Sequence, residues 1–166
     1  NSPVLECTLT GPTLKFSSPY SVTITGADMN PKINNKEVEM NQVIEVEPND
    51  ILSIENCLKG CRSYIGFSED ILSEDFLGSA STYLPAKLGG IEGLPLKEGS
   101  VINTKPYKSE TTSLTKVDFK LGNPFENEWT IRVIKGPEYD FIKEPSKKII
   151  FSSSFTVSND SNRMGN

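Results

Sequence analysis

Seven short runs between Val4 and Phe67 set the limits on the fold: Val4–Leu9, Thr13–Phe16, Tyr20–Ile24, Lys36–Met40, Val43–Glu47, Ile51–Glu55 and Arg62–Phe67. Each is four to six residues long, and turn-forming clusters separate them: Gly11-Pro12, Pro31 to Asn35, Pro48-Asn49-Asp50 and Lys59-Gly60. Val43–Glu47 sets Ile44 and Val46 against Glu45 and Glu47, and Leu52 shares a face with Ile54 in the next run. A period of two buries one face of a strand and wets the other. Short strands of this kind, punctuated by Gly, Pro and Asn, predict a barrel or a sandwich. The expected class is all-β with a few short helical turns, placed near Ile71–Phe76 and Glu138–Ile142. Trp129–Ile134, Ile149–Phe151 and Phe155–Val157 are expected as further strands. Asn103–Asn127, rich in Lys, Ser, Thr and Glu, reads as a polar excursion from the core.

The chain of 166 residues is long enough for one domain or two small lobes. Lys and Arg number 17 and Asp and Glu 22, so 17 − 22 gives a charge of −5. An acidic chain without a basic cluster disfavours nucleic acid as a partner. No apolar run approaches a membrane span, and the opening Asn-Ser-Pro-Val lacks the features of a signal peptide, so a soluble, cytoplasmic protein without membrane contact is expected. Cys7, Cys57 and Cys61 are odd in number, which fits a reducing compartment. Cys57 and Cys61 have neither further cysteines after them nor any histidine, so no metal site is expected. The lack of histidine also removes Ser–His and Cys–His nucleophile systems. Proton transfer by this chain falls to Asp, Glu, Lys, Tyr or Cys.

Leu77–Gly93, LGSASTYLPAKLGGIEG, fits neither helical nor strand periodicity. One reading is a glycine-punctuated crossover inside a β-barrel. The other is a loop that approaches a ligand, in which Gly89, Gly90 and Gly93 line an anion nest beside the hydroxyls of Ser79, Ser81 and Thr82. Ser and Thr also commonly cap turns, and both readings stand. Gly78-Ser79-Ala80-Ser81 is not a nucleophile elbow, and neither a GxxxxGK[ST] loop nor a GxGxxG motif occurs. Arg62 and Arg132 lie in expected strands, where they face solvent or turn inward to hold a carboxylate. Asp28 shapes a turn or serves as a general base. Arg163, in a polar loop, is a ligand candidate.

Seven blocks, in order, carry a family resemblance: Cys7–Phe16 (CTLTGPTLKF), Ile24–Asp28 (ITGAD), Gly60–Phe67 (GCRSYIGF), Leu77–Tyr83 (LGSASTY), Gly89–Gly93 (GGIEG), Arg132–Pro137 (RVIKGP) and Ser158–Gly165 (SNDSNRMG). Together they resemble the allophanate hydrolase subunit 2, or carboxyltransferase A–B domain, family, which includes the C-type component of 5-oxoprolinase and the carboxyltransferase part of urea amidolyase. The resemblance implies a cyclophilin-like β-barrel over residues 1–166. It also implies a place in a multi-subunit enzyme, with an allophanate hydrolase subunit 1-like (B-type) partner and an A-type partner.

The activity so implied is ATP-dependent opening of 5-oxoproline to glutamate. Two alternatives are biotin-dependent carboxyl transfer to urea and a non-catalytic regulator that binds an inhibitor protein. ATP serves the complex and biotin only the urea reaction, and no cofactor is expected on this chain alone. Carried over position by position, the resemblance implies that Ser79, Ser81, Thr82, Tyr83, Gly89, Gly90 and Arg163 form the wall of a site for an amide or carboxylate substrate, with Arg62 and Asp28 as secondary candidates. No catalytic nucleophile is assigned. The family opens with a DxGRxG-type block and continues beyond the Ser-Asn-Arg-Met-Gly motif, so the chain is expected to be an internal fragment that self-associates through unpaired strand edges. Ser68-Glu69 stands where the family tends to carry two glycines, and Ala80 where it commonly has Arg. The Ala80 exchange removes up to five donors and a positive charge.

Overall fold

The computed structural model describes residues 2–105 and 130–158. They belong to two units, Asn1–Glu126 and Asn127–Asn166.

In the first unit the turn clusters cut the chain into β1 (Leu5–Thr8), β2 (Thr13–Lys15), β3 (Tyr20–Asp28), β4 (Lys32–Ile33), β5 (Lys36–Glu37), β6 (Val43–Val46), β7 (Ile51–Ser53), β8 (Lys59–Phe67), β9 (Asp70–Ile71) and β10 (Thr104–Lys105). They pair antiparallel in two four-stranded sheets, ordered β1-β8-β3-β6 and β2-β7-β4-β5, and a two-stranded ladder of β9 with β10. The mainly-β expectation is met. Register follows the apolar alternation: Leu5 faces Ile65, Ile65 faces Ile24, and all three are buried. They join Cys7, Val22 and Val46 of the same sheet and Leu52 of the other in one hydrophobic cluster. A one-residue slip would turn every one of these side chains to water, so the pattern specifies the pairing. Burial pushes the Cys7 thiol above its ordinary pKa. Ser63 is the buried polar member of the core, and its hydroxyl donates to the Ala27 carbonyl. That bond removes the penalty of an unpaired buried hydroxyl.

Some boundaries differ from the sequence reading. β3 and β8 run to nine residues each because they pair with one another, through an irregularity between Gly26 and Asp28. The Pro31–Asn35 turn contains β4, and the run expected over Lys36–Met40 shortens to β5. The helical turn expected near Ile71–Phe76 is absent: β9 occupies its start, and single bridges follow. Of the polar excursion, 103–105 is described, and Thr104-Lys105 there is β10, pinned by the Tyr20 hydroxyl at 3.1 Å from Thr104 Oγ1 and by a bond from Thr104 Oγ1 to Glu69. The rest of that excursion lies outside the described residues.

The described part of the second unit contains a 3-10 turn, Tyr139–Phe141, and the helix α1 (Glu144–Ser152). The turn agrees with the expectation at Glu138–Ile142. The strand expected at Ile149–Phe151 is a correction, since these residues form the last turns of α1. Pro145 at the helix start and Glu144 in its first turn are N-terminal signals that outweigh the β preference of Ile149 and Ile150. Lys147 Nζ lies 2.7 Å from Glu144 Oε1 and 4.8 Å from the Tyr139 ring centre, on which Lys135 Nζ also stands at 4.7 Å. No strand forms over Thr130–Ile134 or Phe155–Val157, and Trp129 lies outside the described residues. Alternation marks a strand only where a ladder partner exists. No helix among the described residues is long and apolar enough to cross a membrane.

Candidate functional site

Between β9 and β10 the chain builds a loop that packs on itself. Its neck is drawn together by the Glu74 amide, which donates to the Gly90 carbonyl at 2.7 Å. Inside the neck, Phe76 and Ser79 close a two-residue turn. Ser79 Oγ then accepts from the Ser81 amide at 3.2 Å. Tyr83 and Leu88 exchange backbone bonds of 2.8 and 3.2 Å around a 3-10 turn at Leu84–Ala86.

The glycines serve this closure. A Cβ on Gly90, at φ +63°, would stand 1.9 Å from Thr82 Oγ1, and one on Gly89, at φ +67°, 2.4 Å from the Ser81 carbonyl oxygen. Only glycine lets the returning strand of the loop lie against Ser81 and Thr82. The glycine-punctuated crossover reading agrees with this closure. The glycines do intraloop packing, and the Ser79, Ser81, Thr82 and Tyr83 side chains on the outer run remain exposed. The loop thus brings together Ser79, Ser81, Thr82, Tyr83, Gly89 and Gly90.

Arg62 and Asp28 sit elsewhere, in the larger sheet. Arg62 Nε is 3.4 Å from Glu6 Oε1 on the neighbouring strand β1, so its guanidinium turns to a carboxylate of this chain. Asp28 ends β3, and its Oδ1 accepts from the Asn30 amide at 3.1 Å, which is the turn-shaping role. Arg163 lies outside the described residues, as does nearly all of the Ser158–Gly165 block.

A hollow of about 200 Å³ opens beside the loop, with Asp70, Ser73, Asp75 and Lys105 as its polar lining and Ile71 and Ala80 among its apolar lining. Sequence reasoning did not find Asp70, Asp75 or Lys105. Asp70 and Lys105 meet only because β9 pairs with β10 across more than thirty residues of chain. Ala80, singled out for the arginine it replaces, lines this hollow with a methyl group. Among the described residues, Asp50 and Glu55 are held below their ordinary pKa by donors outside the loop. Asp50 accepts from the Glu47 amide and the Asn34 side chain, and Glu55 from Lys32 and Asn30. Among the described residues, no three His, Cys, Asp or Glu side chains converge as metal ligands. The loop presents exposed hydroxyls, and the hollow beside it combines the Asp70 and Asp75 carboxylates with the Lys105 ammonium.

The family model described as carboxyltransferase domain, subdomain A and B, matches residues 1–166. The urea amidolyase of Lachancea kluyveri is 33% identical over 99% of this chain and 10% of its own length. The C subunit of the 5-oxoprolinase of Escherichia coli K12 is 30% identical over 99% of this chain and 52% of its own length. The crystal structure of the K. lactis urea amidolyase superposes with a TM-score of 0.62 at 35% identity, covering 71% of this chain and 7% of that one. The chain thus spans about half of one relative and a tenth or less of the others.

Proposed function

The chain belongs to the carboxyltransferase subdomain A and B family, and from that premise we propose that its Ser79–Gly90 loop forms part of the wall of a substrate site in a larger enzyme acting on a small amide. The first reading is the ATP-dependent opening of 5-oxoproline to glutamate, with a subunit 1-type (B-type) protein and an A-type protein completing the enzyme in the cytoplasm. The enclosing domain is read as a cyclophilin-like barrel. The observation that carries the reading is the loop itself: exposed Ser79, Ser81 and Thr82 hydroxyls held by a returning Gly89-Gly90 backbone. Hydroxyl donors placed at a polarised amide oxygen stabilise the charge that develops there. In this reading Arg163 is the counter-charge to the substrate carboxylate.

ATP supplies the activation of the amide in such an enzyme. The loop and the hollow beside it set Asp70, Glu74 and Asp75 against Lys87 and Lys105, a balance that lacks the excess of cations a triphosphate calls for, so the nucleotide is assigned to a partner protein of the complex. This chain binds and orients the substrate.

A second reading, biotin-dependent carboxyl transfer to urea, is favoured by two observations. Identity to the urea amidolyases reaches 33% and 35%, against 30% for the E. coli 5-oxoprolinase component. Ala80 also leaves the hollow without the guanidinium that an anionic substrate would use. Measuring ADP release by the full-length protein with its partners separates them: 5-oxoproline drives turnover in the first case, urea with bicarbonate in the second. Thr82→Ala and Ser81→Ala are each expected to lower kcat/KM on the productive substrate by about 10- to 100-fold, the effect of removing a hydroxyl donor. Unchanged kinetics in both variants would remove the loop from the site. A tight complex with no turnover on either substrate would favour a binding module that regulates a partner.

A further inference from the structure

We infer that the hairpin tip Phe76–Ser79 is a protein-docking element, with Leu77 entering an apolar pocket of a partner polypeptide whose rim carries Lys or Arg. This rests on the reading that the chain works in a complex. The Phe76 amide donates to the Ser79 carbonyl at 2.9 Å and the Ser79 amide to the Phe76 carbonyl at 3.1 Å. Asp75 Oδ1 also accepts from the Gly78 amide at 2.8 Å. The tip is therefore built firmly. Leu77 has φ +54° and Gly78 φ +78°. Two positive φ values in a two-residue hairpin are the mark of a type I′ turn, in which Asn-Gly is the preferred pair. A branched apolar side chain at the first position is strained by its own Cβ.

The same Leu77 is 91% exposed, and Phe76 next to it is 47% exposed. Local backbone preference argues against leucine here, and burial among the described residues does not compensate. A partner's pocket would satisfy the side chain, and the pre-formed turn would present it with little further loss of conformational freedom. The surrounding charge indicates which kind of partner. Between Arg62 and Lys87 the chain carries four acids, Glu69, Asp70, Glu74 and Asp75, and no base. Asp70 faces Lys105 across the β9–β10 ladder, whereas Glu74 and Asp75 flank the tip directly. Acids at the rim steer toward a basic surface and are repelled by anionic lipid.

The test is sedimentation velocity of the full-length protein mixed with its subunit 1-type partner, for the wild type, Leu77→Asn and Glu74→Lys. Leu77→Asn suits the left-handed turn position, so its Tm is expected to equal or exceed that of the wild type. Its affinity for the partner should fall at least about 30-fold, the loss that follows truncation of a central apolar anchor. Glu74→Lys should weaken association most at low salt. A complex formed equally well by Leu77→Asn would overturn the docking role and leave the complex intact as a reading. No complex with the wild type would overturn both. Binding of the wild type to phosphatidylserine vesicles, abolished by Leu77→Asn, would assign the tip to a membrane and also overturn the inference.

Discussion

Gly90 and Gly78 share a left-handed backbone, φ +63° and +78°, yet differ in what surrounds them. A methyl group on Gly90 would stand 1.9 Å from Thr82 Oγ1, whereas one on Gly78 meets nothing within 4 Å. Gly78→Ala therefore carries only the conformational cost, about 1 kcal/mol. Gly90→Ala adds the displacement of Thr82, for a total of about 3 kcal/mol. Urea unfolding of the two variants should show that difference, and equal midpoints would mean that the loop does not pack as described. In the sequence both positions are simply glycines of one loop. Their spacing announces backbone freedom, but the contact that makes Gly90 necessary is with Thr82, eight positions before it along the chain. Arg62 teaches the same lesson. Its strand position was legible, while its ion pair with Glu6 required knowing that β1 lies beside β8.

At the scale of elements, β4 and β7 are tied to the residues flanking them by carboxylates. Glu55 accepts from Lys32 Nζ at 2.7 Å and from Asn30 Nδ2 at 2.9 Å, and Asp50 accepts from Asn34 Nδ2 at 2.6 Å and from the Glu47 amide at 2.8 Å. Both carboxyls are held below their ordinary pKa by these donors. A depressed folded-state pKa contributes stability that is present above the unfolded value, about 4 for these groups, and is lost as pH falls through the folded value. The urea midpoint should therefore decline from pH 6 toward pH 3, and Glu55→Gln should decline less steeply. Parallel curves for the two proteins would remove Glu55 from that dependence. Elements whose pattern could be read locally were found, including all seven runs before Phe67. The strand expected at Ile149–Phe151 was misplaced because alternation and β-branching say nothing about whether a ladder partner exists. A helix satisfies its own backbone, and Pro145 with Glu144 starts one.

At the scale of the molecule, the two four-stranded sheets among the described residues end in the edge strands β1 and β6 of one and β2 and β5 of the other. In the second unit none of the α1 residues is buried, and Ile134, Phe141 and Val157 are 96%, 88% and 84% exposed. Open edges and exposed apolar side chains favour association. The 166-residue chain by itself is expected to sediment as concentration-dependent oligomers, and a monomer across the whole accessible range would contradict this. By itself the sequence determined where the chain turns, which face of each early strand is apolar, that histidine chemistry is excluded, and which family the blocks belong to. These depend on residue types a few positions apart. The tertiary structure decided that Gly89-Gly90 folds back on Ser81-Thr82, that Asp70 meets Lys105, that Arg62 is held by Glu6 and that Leu77 stands in water. Each of those depends on which distant segments pair, and pairing is settled by the burial of the common core rather than by any local pattern.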